Sequence, residues 1–375
     1  MRVINVDAAR VKRQILGILD AWGMAADLAE TAADIMVETD LLGVDSHGVS
    51  MLMMYEEMRG SGMLSLTSRP AVVRDRGCTA LLDGGAGLGH PVSSMAMTLA
   101  ADKALAHGVG VVGVRNSHHF GAAGLYARMA SARGLVGLVT TATRGMTMVP
   151  PRAAAPVLGT NPLAFAAPAG RNPPFVLDMS TTTVAANKVK VYQLNDKPMP
   201  PGWVVDPAGE PVLDPQLGMD YVFRRPEGGL TPLGGSLELG SHKGYGLAMM
   251  VHILGGTLTG GSFSPIRNRT QKPGDPDNIG HFFMAIDPDA FRDEGEFESD
   301  LDAVIDTLHA TAAADPGKPV LVAGDPENAT REQRLREGIP IPARLDAHIR
   351  DICARSGAEY VLQSSGQPHP QETGQ

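Results

Sequence analysis

A chain of 375 residues is long enough for one large or two ordinary domains with a well-buried core. Its 43% hydrophobic and 19% charged residues describe a globular protein and exclude a disordered one. A net charge of -9 argues against a nucleic-acid binder, since phosphate recognition needs clustered Lys and Arg.

The N-terminal stretch predicts two helices: Asp7 caps 8–19, Gly23 breaks the run, and 25–38 resumes with 3.6-residue spacing. The segment from Asp40 to Ser50 then holds a polar knot, Asp45-Ser46-His47-Gly48, for which packing gives no reason. An imidazole titrates near neutral pH, so His47 is a candidate proton donor or acceptor, with Asp45 and Ser46 placed to orient its ring. The competing reading is a helix break in which Asp45 or Ser46 serves as N-cap. A Met-rich helix over 49–59 follows and stops at Gly60 and Gly62. Tyr55, eight residues past His47, shares its face if that helix opens at Ser46.

At Pro70 the texture changes to a strand pair, 71–74 and 79–83. The run Gly84-Gly85-Ala86-Gly87-Leu88-Gly89 lies between a strand and a helix over 91–106, the context of a phosphate-binding turn. Its spacing is not G-x-G-x-x-G. That spacing occurs at Gly108-Val109-Gly110-Val111-Val112-Gly113, but there it follows a helix and enters a strand, 109–114, the reverse of the dinucleotide fingerprint. Glycines here are expected to end a helix and let a strand pack closely.

Next, Arg115-Asn116-Ser117-His118-His119-Phe120-Gly121-Ala122-Ala123-Gly124 leaves a strand and opens a helix, a turn suited to an anion or cofactor. Metal ligation is not expected, because adjacent histidines diverge and no further ligand is nominated. Strands follow over 135–141, 163–167 and 175–178, and the last runs into Asp178-Met179-Ser180 and three threonines. A helix is predicted over 184–191 and an irregular segment over 198–215. Lys243 opens a long helix after Gly240, against the preference for acidic residues there, which suggests a shared anionic ligand. A strand over 280–286 can pair centrally; a further strand ends at the turn Gly324-Asp325-Pro326-Glu327; helices are expected over 289–308, 330–338 and 342–354, with a frayed tail over 364–375. Two cysteines, Cys78 and Cys353, without a CxxC pair, suit a cytoplasmic protein. No apolar leader and no membrane-spanning run is expected.

Taken together, Asp45-Ser-His-Gly48, Asn116-Ser-His-His-Phe-Gly-Ala-Ala-Gly124, Leu158-Gly-Thr-Asn-Pro-Leu163, Val176-Leu-Asp-Met-Ser180, His242-Lys-Gly-Tyr-Gly246, Gly280-His-Phe-Phe283 and Ala323-Gly-Asp-Pro-Glu327 resemble the malate/L-lactate (L-sulfolactate) dehydrogenase family over about residues 5–345. That group also holds ureidoglycolate dehydrogenase, diketogulonate reductase and ketimine reductases. The resemblance implies an α/β (α+β-like) fold with a non-Rossmann NAD(P)-binding mixed subdomain and a helical subdomain. Residues 1–72 with a late segment of about 300–345 would form the helical part, 73–299 the cofactor part, and 346–375 a terminal helix and tail. It further implies a cytoplasmic homodimer using NAD or NADP on a small 2-oxo or 2-hydroxy acid.

Residue by residue, His47 matches a proton donor/acceptor with Ser46 in its relay, and His119 matches the histidine that plays this part in another branch. His47 ranks first. His119, Phe120, Gly121, Ala122, Ala123, Asp178, Met179, Ser180, Lys243, Gly324, Asp325, Pro326 and Glu327 match cofactor positions, and Thr160 a substrate contact; Tyr55 and Lys188 join the substrate candidates. Two departures stand out. Met51 occupies the place of an arginine suited to a substrate carboxylate, which leaves Lys188 or Arg144 for that task, and Lys188 replaces a relay aspartate of the ketimine branch. The alternatives are reduction of a cyclic ketimine or diketo acid, a hydrolase built on Ser46 and His47, and a cofactor-binding protein without turnover. Adjacent residues do not readily form a hydrolase relay, and no G-x-S-x-G elbow occurs.

Overall fold

The computed structural model describes residues 3–262, 271–272 and 274–363. The chain divides into two compact units, one formed by 1–60 with 326–375 and the other by 61–325.

In the first unit, β1 (Val3–Val6) leads to Asp7, whose carboxylate accepts from Ala9 and Arg10 and opens α1 (Ala8–Ala21). The buried stripe Val11, Ile15, Ile18 and Leu19 packs on α2 (Ala26–Leu41), whose Ala29, Ala32, Ala33 and Met36 admit a close approach. A 3₁₀ turn over Val49–Met51 precedes α3 (Leu52–Gly60), so the helix expected from 49 starts as a tighter turn. The late chain returns as β11 (Ile339–Pro342), pairing antiparallel with β1, Val6 opposite Ile339. Sequence reading found neither strand.

The second unit is built on a seven-stranded sheet, order β2-β3-β4-β10-β5-β6-β7. Its strands are β2 (Ala71–Arg76), β3 (Thr79–Gly87), β4 (Val109–Ser117), β5 (Val136–Thr141), β6 (Leu163–Ala167), β7 (Phe175–Met179) and β10 (Ile279–Ile286); β8 (Val204–Val205) and β9 (Gly229–Leu230) pair apart from it. β10 lies centrally between β4 and β5, antiparallel to both. Following the ladders, β3, β4, β5 and β7 run one way and β2, β6 and β10 the other. α4 (Gly89–His107) and α5 (Ala123–Ser131) pack on β4, β10, β5 and β6.

Gly108 ends α4 with φ +82, and a Cβ on Gly110 would stand 1.9 Å from the carbonyl oxygen of Ala100 in α4. Those glycines cap a helix and admit it to the sheet, as the reversed element order predicts. A Cβ on Gly113, three residues on and so on the opposite face, would meet Thr259 at 3.0 Å. Thr259 follows the π-helical turn Ile253–Thr257 that ends α8 (Ser241–His252).

The remaining helices are α6 (Ala186–Leu194), α7 (Pro215–Phe223), α9 (Glu296–His309), α10 (Asp325–Glu337) and α11 (Ala343–Ser356). Two expectations are corrected. No strand forms before Gly324: the segment runs extended, bonding β7 through Val176 N–H to Ala323 O, without a ladder. The unit boundary falls at Gly60 and not near 72; residues 300–325 group with the sheet, and α11 joins the helical unit by packing on α1 and α3. The expected tail over 364–375 lies outside the described residues.

Candidate active site

The helical unit presents His47 half-buried on the turn after α2. Ser46 Oγ lies 2.7 Å from His47 Nδ1, so the pair expected from sequence is in contact. Burial lowers the imidazole pKa below its ordinary value, because the charged ring loses solvation. Two groups outside the motif hold this turn. Asp40, 2% exposed, accepts from Val49 N–H at 2.9 Å, and Gly48 is packed so tightly on it that a Cβ there would stand 1.9 Å from Oδ1. Burial pushes the Asp40 carboxyl up to about 8. Arg334 of α10 donates to Asp40 O at 2.5 Å and grips both carboxylate oxygens of Asp45. Asp45 is thus an anchor for its turn.

Tyr55 is 0% exposed inside the helical unit, and burial raises its hydroxyl far above the ordinary tyrosine value. It offers no surface through which to touch a substrate.

In the sheet unit, strand direction decides where side chains gather. The C-terminal ends of β4, β5 and β7 and the N-terminal ends of β6 and β10 share one edge, which brings together His118, His119, Thr143, Arg144, Thr160, Asp178 and Asp277. Ligands in open α/β sheets bind outside the carboxyl ends of strands. Hydrogen bonds tie the edge together. Gly124 N–H, in the first turn of α5, donates to Asp178 Oδ2 at 2.7 Å, so the helix N-terminus expected to take an external anion is capped by the protein's own carboxylate. Thr160 O accepts from Thr181 N–H at 2.9 Å, and Thr143 Oγ1 lies 3.2 Å from Asn161 Oδ1.

Beneath the edge lies a buried polar network. His118 Nδ1 accepts from His119 N–H at 2.8 Å, so the ring proton sits on Nε2, 3.1 Å from Asp277 Oδ2. Arg144 Nε meets the same oxygen at 3.3 Å. His281, wholly buried with its pKa pushed down to about 3 by desolvation, lies between Thr141 Oγ1 at 2.7 Å and Ser117 Oγ at 3.0 Å. Its ring stacks on Phe120 at 4.5 Å, which fixes the turn carrying His119, Gly121, Ala122 and Ala123. Phe120 itself is 2% exposed, a support for the turn. His119 is half-buried, its Nδ1 3.4 Å from Gly121 N.

Lys243 is exposed at the start of α8, its stem folded back over Gly240. Gly244 packs on Leu233, whose N–H bonds Thr181 O at 2.9 Å, so this helix start borders the turn of Met179 and Ser180. Gly324 lies against Val176 of β7; Asp325 Oδ2 accepts from Val322 N–H at 2.7 Å and lies 2.8 Å from His309 Nε2. Pro326 and Glu327 lie in the first turn of α10, within the helical unit. Lys188 is exposed on α6, 5.3 Å above the Trp203 ring.

The profile of the malate/L-lactate dehydrogenases matches residues 6–350. The chain belongs to that family. A malate dehydrogenase of Pyrococcus horikoshii is 37% identical over 357 residues, 95% of this chain and 96% of that protein. A malate/(S)-sulfolactate dehydrogenase of Methanothermus fervidus is 34% identical over 348 residues, 92% and 96% of the two chains. The crystal structure of malate dehydrogenase from Entamoeba histolytica superposes with a TM-score of 0.90 at 30% identity, covering 96% of this chain and 99% of that one. Membership of the malate/L-lactate dehydrogenase family makes this protein an oxidoreductase of hydroxy acids and excludes the hydrolase reading of Ser46 and His47. No helix among the described residues is long and apolar enough to cross a membrane.

Sequence reasoning did not single out Asp40, Arg334 or Asp277, and it named His118 only as part of the adjacent histidine pair. A signal for Asp40 existed: it continues the buried stripe of Met36 and Val37 on α2, where a carboxylate has no packing reason to be. Nothing local marked Asp277 or Arg334.

Proposed function

We propose that the protein moves a hydride reversibly between a nicotinamide dinucleotide, NAD or NADP, and a small 2-hydroxy acid of the malate, lactate or sulfolactate class, with His47 as the proton-transfer group. The observation that carries this is the His47 turn, held from both sides while the imidazole stays half-buried and in contact with Ser46. In oxidation His47 takes the hydroxyl proton as the carbon–hydrogen bond breaks; in reduction it returns that proton to the nascent alkoxide. Its lowered pKa keeps the ring in the accepting form at neutral pH. His119, half-buried on the sheet edge, is the second candidate for this role.

The donor set suits a dinucleotide. Lys243 brings a cation to the start of α8 for the diphosphate, while Asp178 and Ser180 offer a carboxylate and a hydroxyl to ribose. The turn of His119 to Ala123, Met179 and the Gly324–Glu327 turn complete the set, and Thr160 and Lys188 stand for substrate. Bound, the cofactor supplies or accepts the hydride. The working form is a cytoplasmic homodimer, in line with two free thiols at Cys78 and Cys353; sedimentation tests the dimer.

The experiment is a panel of 2-oxo and 2-hydroxy acids, with a cyclic ketimine as comparison, followed by absorbance of the reduced nicotinamide. Turnover of an acid is expected. Cofactor binding without turnover of any acid overturns the reading.

A further inference from the structure

Arg144 leaves the C-terminal end of β5 on the sheet edge that holds His119, Thr160 and Asp178. Its side chain is 35% exposed, yet its Nε lies 3.3 Å from carboxylate oxygen Oδ2 of Asp277, which is 0% exposed. The same oxygen is approached at 3.1 Å by Nε2 of His118, 1% exposed, whose Nδ1 in turn takes the N–H of His119. A buried carboxylate beside Nε restrains the guanidinium, and restraint is what a bidentate clamp needs, since less rotamer freedom is lost on binding. On the outer side, Nη2 approaches Met63 Sδ at 3.2 Å. A thioether is a weak acceptor that a carboxylate readily displaces.

Resting on the function proposed above, the geometry points to Arg144 as the residue that grips the carboxylate of the acid, with Asp277 and His118 as positioning residues beneath it. Lys188 fits that task less well: it is exposed on α6 and its Nζ sits over the Trp203 ring. Arg144 and His118, neighbours of the Asp277 carboxyl, both lie on the site edge.

The test compares a 2-oxo acid with the amide of the same acid. Wild type should prefer the acid, and Arg144→Met should lower kcat/KM for the acid by about 10- to 100-fold while leaving the amide nearly unchanged. Arg144→Lys should recover part of the preference, and the dissociation constant of NADH or NADPH should stay at the wild-type value in both variants. Asp277→Asn keeps the guanidinium but loses its base, so KM for the acid should rise with little change in kcat. Calorimetric titration of oxalate into the enzyme–dinucleotide complex reads the same contact without turnover, and Arg144→Met should weaken it by a similar factor. An unaltered acid-over-amide preference together with unaltered oxalate affinity overturns the role of Arg144. Failure of the proposed function looks different: wild type itself would turn over no acid, and the oxalate titration would still judge Arg144.

Discussion

Asp40→Asn isolates the buried carboxyl that supports the His47 turn. The group ionises near 3.8 in an unfolded chain and near 8 in place, with burial the dominant cause, Asp45 adding to it, and the Val49 N–H and Arg334 opposing it. The sign follows from proton counting. Between those values the native state keeps a proton that the unfolded chain has released, so stability is full below about pH 4 and drains as pH rises toward 8. Each unit is worth about 1.4 kcal/mol, so roughly 4 kcal/mol is lost between about pH 4 and pH 7, an upper bound if the turn relaxes. Asparagine has nearly the same shape, accepts from Val49 N–H, and carries no proton to lose. The variant should therefore match the parent near pH 4 and exceed it by a growing margin toward pH 8. Urea unfolding, read from Trp22 in a Trp203→Phe background, reports on the helical unit, since the chain has 2 tryptophans. A difference between variant and parent that does not change with pH would refute the reasoning.

His47→Ala should lose about 10²–10⁴-fold in turnover with cofactor affinity intact, and near-normal turnover with a dead His119→Ala would reverse their roles. With the His47 pKa lowered by burial, hydroxy-acid oxidation should keep its rate down to a more acidic pH than an ordinary imidazole allows, while 2-oxo acid reduction falls as pH rises; an oxidation limb at or above the ordinary histidine pKa counts against His47 as the base. Lys243→Ala should weaken NADH or NADPH far more than the acid, as equilibrium titration of each would show; equal affinities would remove it from the cofactor set. Gly48→Ala drives a methyl to 1.9 Å from Asp40 Oδ1 and should cost about 2–5 kcal/mol by displacing the carboxyl from Val49 N–H, with urea midpoints as readout; combining it with Asp40→Ala should give less than the sum.

Much of the architecture was legible because local rules settled it. Asp7 caps its helix through its own side chain, the strand–helix alternation implies a layered α/β unit, and the order of elements around Gly108 exposed a false fingerprint. What escaped notice depends on distant partners. β1 and β11 are four-residue strands at opposite ends of the chain, and the second contains Pro340 and Pro342, so neither advertises a ladder. The extended segment before Gly324 has the composition of a strand, but a single bond to Val176 is all that it makes with β7. The motifs marked the turns from which the proposed site is built, but not how each side chain is used within the fold. Asp178 also caps α5 through Gly124 N–H, and Tyr55 is enclosed. Asp277 stands in a loop after Pro276, a context that reads as a surface turn until the fold brings it beneath His118 and Arg144.

The clamp on the His47 turn has a temporal consequence. Arg334 and Asp45 are 289 residues apart in the chain. At a synthesis rate of about 5–20 residues per second, roughly 15–60 s pass between their appearances on the ribosome. Throughout that interval α1 and α2 exist without β11, α10 or α11, while the whole sheet unit can be completed behind them. α1 and α2, made before the sheet unit, are therefore among the last elements to find all their partners, and a nascent chain carries their apolar faces exposed until then. A ribosome arrested just past Asp325 should release a protein with a protease-resistant sheet unit and a digestible N-terminus.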